Sequence, residues 1–421
     1  MTAVPQNFAP TIDRLRHSLG SQILSQGLKL VVSIGIGGWT ARYLGPALLG
    51  KLSYVIALVG ILGPIGGLGA RGSLAALLCE PQPPPGLVSS AFCVELLGTA
   101  GLAIALIPWM WAAGDPVIPW LIGFMVLANL FNSSEVFEAQ LLNLQRGTLI
   151  ARVDLIQTSA GAFLSIGALL LKAPLLVFGA LYAIQSAIRY GLLFRLVRIA
   201  SLRFFFAQAR WELVKRLIRR GWPLLLSGLS IMIYMKSDQV MLQWMMGPDA
   251  VGQYSVAIRV VEAPYFLPVI LANTFMVRLG DQDSAAAQIA LKQLYRLAWV
   301  LGLGMALLSA LIFPVLVLVV FGDQYHLSQN ILIWLAPSAF AVATGCASGA
   351  WLNVSGYVKI IAKRSFVGAL LNVVLNFVLI PVAGLAGAAV ATSISYLVSV
   401  YLVGLLDSRV RQNTLFLLAP L

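Results

Sequence analysis

Eight of the charged side chains that lie within or at the end of long apolar stretches of this sequence are candidate site residues, because a charge is costly there. The basic ones are Lys29, Arg42, Lys236 and Arg259, and the acidic ones are Glu135, Glu138, Asp238 and Glu262. A charge at the centre of a bilayer costs at least about 2.5 kcal/mol, so each is expected to pair or to face water. Arginine binds phosphate groups in a bidentate manner and lysine binds them as a point charge. The basic residues therefore predict an anion-binding cavity, and the acidic residues are candidate sites for a proton or a sodium ion.

Internal ion pairs that lock helices together are the alternative for these charges. Counted along the helices, Asp238 and Arg259 lie about 12 to 14 Å below the same end, and Lys236 and Glu262 about 15 to 18 Å below it. Two rungs could therefore join them, Asp238 with Arg259 and Lys236 with Glu262. Lys236 and Asp238 are two positions apart and point to nearly opposite faces, whereas Arg259 and Glu262 share a face. We therefore expect at most one of the two rungs.

The first half of the chain offers a similar choice. Lys29 and Glu95 lie at similar depths, about 12 Å from the same side, and could neutralise each other. Glu135 and Glu138 are three positions apart with Asn132 one turn away, which places two carboxylates on one helix face. Like charges so placed need water, a cation or a proton.

The elements that position these residues are predicted to be membrane-spanning helices. Of 421 residues, 60% are hydrophobic and 10% are charged, against about 25% charged in a soluble domain. The mean hydropathy is +0.90. A water-soluble enzyme is excluded, and segments of about 20 apolar residues indicate spanning helices. The predicted spans are residues 21–43, 46–69, 87–113, 117–141, 150–171, 175–198, 222–246, 250–279, 294–320, 328–354, 363–382 and 384–406.

The distribution of basic residues predicts the orientation. The chain has 28 Lys and Arg against 15 Asp and Glu, and nearly all basic residues at span ends fall on the side of the two termini. On the opposite side, only Arg42, Lys51 and Lys172 lie at span ends. By the positive-inside rule both termini are expected in the cytoplasm. Nucleic acid is not expected as a partner, because the charge is spread over a rim and not gathered in one groove.

An internal repeat divides the chain into two halves. Gly45, Pro46, Gly50 and Ser53 recur as Gly247, Pro248, Gly252 and Ser255, always 202 positions later. The repeat predicts two parallel six-helix lobes, residues 1–198 and 222–421, related by an axis along the membrane normal. Residues 199–221 form a basic cytoplasmic linker, which serves as a stop signal or as an amphipathic helix on anionic headgroups. Two unrelated tight turns are the alternative to a repeat.

No cofactor or metal site is expected from the sequence. The cysteines Cys79, Cys93 and Cys346 are odd in number and far apart, and the two histidines share no metal-site spacing with them. Asp281 and Asp283 form a DxD pattern that many sugar-nucleotide transferases use to hold a metal. Without a soluble domain around it, this pattern is interpreted as solvated loop charge.

Three stretches of the sequence resemble a known family. They are ARYLGPALLGKLSYVIAL from Ala41, SDQVMLQWMMGPDAVGQYSVAIRVVEAPYFLP from Ser237 and LNVVLNFVLIPVAGLAGAAVATSISYLVS from Leu371. They are similar to bacterial polysaccharide flippases of the O-antigen type, in the multidrug/oligosaccharidyl-lipid/polysaccharide exporter superfamily. The resemblance implies an all-α integral membrane protein of about twelve transmembrane helices, with two pseudo-symmetric six-helix lobes around a central cavity.

The resemblance also implies a function without covalent chemistry. Such a protein carries a polyprenyl-pyrophosphate-linked oligosaccharide from the cytoplasmic to the outer leaflet of the bacterial inner membrane by alternating access. Lys29, Arg42, Lys236 and Arg259 would then offset the pyrophosphate charge. Membrane lipids, a polysaccharide polymerase and other assembly proteins are the implied partners. The alternatives are a cation-coupled multidrug exporter of the same superfamily, and a membrane-embedded polymerase or glycosyltransferase, although the short outer loops do not favour the last.

Overall fold

The described part of the chain is helical throughout. A computed structural model describes residues 12–80, 82–112, 114–144, 146–199, 208–280 and 285–419, and within these ranges it contains no strand. The helices are α1 Ile12–Gly67, α2 Ala70–Leu78, α3 Leu87–Ala112, α4 Val117–Asn132, α5 Glu135–Asn143, α6 Gly147–Leu170, α7 Leu175–Ile199, α8 Trp211–Met246, α9 Pro248–Glu262, α10 Phe266–Met276, α11 Ala285–Leu307, α12 Phe313–Phe321, α13 His326–Val354, α14 Val358–Leu397, α15 Val403–Leu406 and α16 Arg411–Leu418.

In the described part of the chain, twelve helical segments are long enough to cross a membrane. Nine stretches of the described residues pass by length and hydropathy together, and several of them combine consecutive helices. Two of the nine contain a break, at Gly45 in α1 and at Gly384 in α14, where φ is 72° and 56°. Dividing α1 and α14 at these breaks gives eleven segments. The twelfth is α8, which is long but rich in charged side chains. The predicted all-α multi-pass fold is confirmed.

The repeated sequence motif adopts the same structure in both halves. Gly45 and Gly247 have φ, ψ values of 72°, 168° and 87°, −178°, in the positive-φ region that favours glycine. A Cβ atom on Gly50 would lie 1.7 Å from the carbonyl oxygen of Pro248, and one on Gly252 would lie 1.9 Å from that of Pro46. Helices α1 and α9 thus touch backbone to backbone in a reciprocal contact, as expected for lobes related by a pseudo-twofold axis.

The first lobe also contacts α8 at the opposite end of the helices. A Cβ atom on Gly69, between α1 and α2, would lie 2.0 Å from the carbonyl oxygen of Gly221 in α8. On the same side, Glu80 forms ion pairs with Arg216 and Arg220, each at 3.2 Å. The first lobe therefore contacts the second half of the chain at both ends of the helix bundle.

The predicted linker is partly helical, since α8 begins at Trp211 and not at residue 222. Val214 and Leu217 in its first turns are buried with Leu74, Leu77 and Leu87 of the first lobe. The apolar side of this segment is therefore covered by protein, which disfavours insertion into headgroups. Residues 200–207, the first part of the linker, lie outside the described residues, and the lobe boundaries stay a prediction.

The turns predicted to face outward lie together. The side-chain amide of Gln324 donates to the carbonyl oxygen of Arg42, and that of Gln253 donates to the carbonyl oxygen of Gln324. Lys51 and Asp115 form an ion pair of 2.5 Å at the same end. Two of the three basic residues on this predicted outer side thus have local partners: Lys51 pairs with Asp115, and Arg42 donates to the carbonyl oxygen of Val319.

Candidate functional site

A cavity of about 320 Å³ lies between the lobes and receives side chains from both. Leu30, Ser53 and Ile56 of α1 line one wall, and residues of α8 and α9 line the other. Ser53 and Ser255, the equivalent positions of the repeat, both face this space. The pseudo-twofold axis therefore runs close to the cavity, which corresponds to the predicted central cavity.

Three predicted site residues come together in this inter-lobe cavity: Lys236, Arg259 and Glu262. Among the described residues no carboxylate lies within 4.0 Å of the Lys236 amine or the Arg259 guanidinium, and neither group has a hydrogen-bond partner. Of the two possible rungs, Asp238 with Arg259 and Lys236 with Glu262, neither forms among the described residues. The described part of the cavity wall carries two cationic groups against one carboxylate, so its formal charge is positive.

Asp238 is held instead by neutral donors. Its carboxylate accepts hydrogen bonds of 2.7 Å from the Tyr254 hydroxyl and from the backbone N–H of Gln239, and Asp238 is 2% exposed. The Thr392 hydroxyl is 3.4 Å away. The position of a residue along a helix gives its depth but not the direction of its side chain around the helix axis. Counting residues therefore gave Asp238 and Arg259 similar depths but did not show which way their side chains point.

Further polar side chains extend this buried network. The Asn372 amide lies 3.4 Å from the Thr392 hydroxyl, and the oxygen of the same amide accepts bonds of 2.8 Å from both Ser237 and Asn376. These side chains come from α8 and both parts of α14. A buried carboxylate surrounded by hydroxyl and amide groups can take up a proton or a small cation, since its charge has no ion-pair partner in the described structure.

Arg259 also reaches a second and larger cavity of about 460 Å³, lined by α1, α6 and α7 of the first lobe. A Cβ atom on Gly37 would lie 2.8 Å from the Arg259 Nη1 atom, so the glycine leaves room for the guanidinium. Polar residues such as Gln157 and Gln185 line this cavity. Our sequence interpretation missed both glutamines; the four-residue spacing of Gln157, Gly161 and Ser165 on α6 was the available signal for the first.

A third cavity, of about 340 Å³, lies toward the Gly69 end and contains Arg71 and Glu135. Arg71 forms an ion pair with Glu135, and its Nε atom lies 3.6 Å from Glu95. The predicted partner of Glu95 was Lys29, which lies on α1 but whose side chain is outside the described residues. Arg71, interpreted from sequence as a charge of the membrane rim, is the cation that Glu95 contacts.

Glu135 and Glu138 do not share a site. Glu138 lies 2.7 Å from Arg189 of α7, and Arg189 also lies 3.2 Å from Asp154. Each of the two neighbouring carboxylates thus has its own arginine partner.

Arg42 lies apart from the three cavities described here. Its guanidinium donates a 2.5 Å hydrogen bond to the carbonyl oxygen of Val319, in the last turn of α12. This arrangement neutralises the free carbonyl groups at a helix end. The structure therefore brings Arg259, Lys236 and Glu262 together and keeps Arg42 at the rim.

Two lobes of helices around a cationic cavity define a class: a multi-pass membrane transporter with an internal repeat. The model of the polysaccharide biosynthesis protein family matches residues 17–277, and the MatE model matches residues 223–378. The first match covers more than half of the chain, and the chain belongs to the polysaccharide biosynthesis protein family. The resemblance to the multidrug/oligosaccharidyl-lipid/polysaccharide exporter superfamily is confirmed.

Individual relatives agree with this assignment. The chain is 22% identical over 380 residues to the probable low-salt glycan biosynthesis flippase Agl15 of Haloferax volcanii, covering 86% of this chain and 77% of that one. Its fold is similar to lipid II flippase MurJ in an inward closed conformation, with a TM-score of 0.71 and 16% identity over 93% of this chain and 90% of that one. It is also similar to an inward-facing multidrug resistance transporter of the MATE family, with a TM-score of 0.66 and 16% identity, covering 92% and 95% of the two chains.

Proposed function

We propose that this protein is a flippase that carries a lipid-linked oligosaccharide, joined through a diphosphate, from the cytoplasmic to the outer leaflet. The observation that carries the proposal is the position of Arg259, whose guanidinium has no carboxylate partner among the described residues and lines two adjoining cavities. A guanidinium is always charged in a protein and forms bidentate hydrogen bonds with phosphate groups. An anionic substrate would supply the partner that the chain itself does not.

Lys236 adds a second cationic group to the same wall, and Glu262 reduces the net positive charge to one. A diphosphate that enters from water exchanges its hydration shell for these donors. The lipid chain would stay in the bilayer while the headgroup crosses between the lobes. Of the four basic residues predicted to bind substrate, we retain Lys236 and Arg259 as the principal ones. Lys29 and Arg42 stay secondary proposals.

Movement of the lobes would expose the cavity to one side at a time. The first lobe contacts the second half of the chain through glycine backbones at both ends: Gly50 contacts Gly252 of the second lobe at one, and Gly69 contacts Gly221, the last residue of the connection, at the other. Separation of one contact while the other remains closed is the rocking motion expected of parallel repeats around a fixed site. We assign residues 1–198 and 222–421 to the two moving lobes and residues 199–221 to the connection between them.

Ion coupling is proposed for the carboxylates without a cationic partner. Asp238 is surrounded by neutral donors, and Glu262 faces the inter-lobe cavity with no cation within 4.0 Å in the described structure. Glu135 and Glu138 each contact an arginine, which favours a structural role for them. Protonation of Asp238 or Glu262 would change the charge of the network beside the substrate site.

Export of cationic drugs is the second candidate function, because the MatE model matches residues 223–378. The net positive charge of the inter-lobe cavity opposes it, since a cationic drug would meet Lys236 and Arg259. The names of Agl15 and MurJ, both described as flippases, support the first candidate.

A reconstituted transport assay separates the two candidates. Purified protein in proteoliposomes would receive either a fluorescent polyprenyl-diphosphate N-acetylglucosamine or ethidium as the probe. We expect the headgroup of the first to move between leaflets and ethidium to stay where it is. Transport of ethidium without movement of the glycolipid would overturn the proposal in favour of the drug exporter.

A further inference from the structure

The 460 Å³ cavity of the first lobe has an unusual lining for the interior of a membrane protein. On α6, Gln157, Gly161 and Ser165 follow one another at intervals of four residues, so they lie on one face of the helix. On α7, Tyr182 and Gln185 are three residues apart and face the same space. We call this space the α1–α6–α7 cavity. Its wall combines amide and hydroxyl groups from separate helices.

These polar groups are not used to hold the helices together. Among the described residues, the side chains of Ser33, Gln157, Ser165, Tyr182 and Gln185 have no hydrogen-bond partner. A polar group inside a membrane without such a partner costs free energy. The cavity therefore needs a polar occupant, either water or a ligand.

The geometry of the wall suits a flat polar molecule. A Cβ atom on Gly161 would lie 2.7 Å from Cδ of Gln185, so the glycine creates the room in which this amide sits. Each glutamine amide offers two donors and an acceptor. The ring of Phe178 and that of Tyr182 supply apolar surface beside them. Hydrogen-bonding groups interleaved with aromatic faces match the hydroxyl groups and apolar faces of a sugar ring.

The charges that line the cavity also indicate what kind of ligand it can bind. Among the described residues, its wall from the first lobe is neutral, and the one charged residue lining it is Arg259, which comes from the second lobe. A ligand that fills the cavity is thus uncharged along most of its length and anionic at the end beside Arg259. The volume of about 460 Å³ lies within the range of about 300 to 1,000 Å³ usual for small-molecule sites.

We infer that the α1–α6–α7 cavity binds the sugar units next to the diphosphate, while Arg259 at its edge contacts the diphosphate itself. The inference rests on the proposed flippase function and adds a sugar-recognition site to it. Gln157 and Gln185 are the principal contacts, with Ser165 as a third. Selection among substrates would then depend on α6 and α7, whereas the lipid and diphosphate would be bound without regard to the sugar.

Binding measurements on the purified full-length protein in nanodiscs test this site. The probes are farnesyl diphosphate and farnesyl diphosphates that carry N-acetylglucosamine or galactose. We expect at least one sugar-bearing probe to bind about tenfold more tightly than farnesyl diphosphate, because it forms several additional hydrogen bonds. Gln157→Leu and Gln185→Leu should remove this difference and leave the affinity for farnesyl diphosphate unchanged. Arg259→Gln should lower the affinity for all three probes.

Controls keep the outcomes distinct. Gln288→Leu, at an exposed position of α11, is the matched substitution outside the cavity and should preserve the difference. Ser165→Ala is a milder cavity variant for use where a leucine variant loses its affinity for farnesyl diphosphate as well. Equal affinities for all three probes, or a difference that survives all the cavity variants, would overturn the sugar site alone. Failure of the parental protein to bind any probe would contradict the proposed function as well.

Discussion

Arg259 contrasts with two other arginines, Arg71 just after the second predicted span and Arg189 inside the sixth. Arg71 contacts Glu95 and Glu135, and Arg189 contacts Glu138 and Asp154, so both are neutralised by two carboxylates. Arg259 has no such partner in the described part of the chain. An arginine with two carboxylates ties helices together, whereas a free guanidinium beside a cavity can bind a ligand. This difference separates structural charges from the proposed substrate site.

The neutral surroundings of Asp238 lead to a test by double-mutant cycles. Asp238→Ala and Tyr254→Phe remove the two sides of one hydrogen bond of 2.7 Å, so we expect an interaction energy of about 0.5–3 kcal/mol between them. Asp238→Ala and Arg259→Gln should be additive within about 0.5 kcal/mol, because the two side chains do not pair. Unfolding of the detergent-purified variants measures both cycles. A larger interaction with Arg259 than with Tyr254 would restore the ion pair that the structure rejects.

A pH dependence is expected from the ion pair at the outer turns. The hydrogen bond from Lys51 holds the pKa of Asp115 below its ordinary value of 3.8. The pair therefore stabilises the folded state fully above about pH 4, and this contribution is lost as the pH falls through the lower folded-state pKa. Melting temperatures of the parental protein and Asp115→Asn should converge on acidification. Asp323→Asn, in another turn at this end, is the control and should leave the acid dependence intact.

At the scale of elements, hydropathy and spacing predict most of the helices, because each span is a continuous apolar segment. The start of α8 is the main exception. Its first turns, from Trp211 to Gly221, are rich in basic residues, so the sequence suggested a linker. Val214 and Leu217 nevertheless face a buried cluster of the first lobe. A charged segment extends a helix here because one side is covered by protein.

The reciprocal glycine contact of α1 and α9 is expected to be intolerant of any side chain. Gly50→Ala or Gly252→Ala would place a methyl group within 2 Å of a carbonyl oxygen, so each should lower the free energy of unfolding by about 1–3 kcal/mol. Gly304→Ala is the matched control, because nothing lies within 4 Å of a Cβ atom there. Thermal unfolding of the three purified variants gives the comparison. Equal melting temperatures for Gly50→Ala and Gly304→Ala would mean that the lobes are not in backbone contact.

At the scale of the whole molecule, the sequence predicts the number of spans, the internal repeat and a central cavity, but not the two further cavities. The repeat can be recognised in the sequence because positive φ angles and close backbone contacts favour glycine at the same places in both halves. Cavities depend on which face of each helix turns inward, and this is decided by packing between distant segments. Lys236 and Arg259 were predicted to line one cavity together with Lys29 and Arg42, whereas the polar wall formed by α6 and α7 was not predicted.

The orientation in the membrane is a prediction that fusions can test. Reporter domains fused at Asp115, Asp249 and Asp323 should lie outside, because the basic residues gather on the other side. Fusions at Glu80 and Arg210 should lie in the cytoplasm. A reversed signal at all five positions would invert the direction of transport that we propose, and a reversal at one would revise the spans next to it.

The most direct test of the account is transport by Arg259 variants at equal amounts of reconstituted protein. In proteoliposomes with polyprenyl-diphosphate N-acetylglucosamine, Arg259→Gln should slow the transfer of the headgroup by about tenfold or more, because charge-assisted hydrogen bonds to the diphosphate are lost. Arg259→Lys keeps the charge but not the bidentate geometry and should retain part of the rate. Arg219→Gln, at an exposed position of α8, should transport normally. Transfer at the parental rate by Arg259→Gln would contradict the central role of this residue.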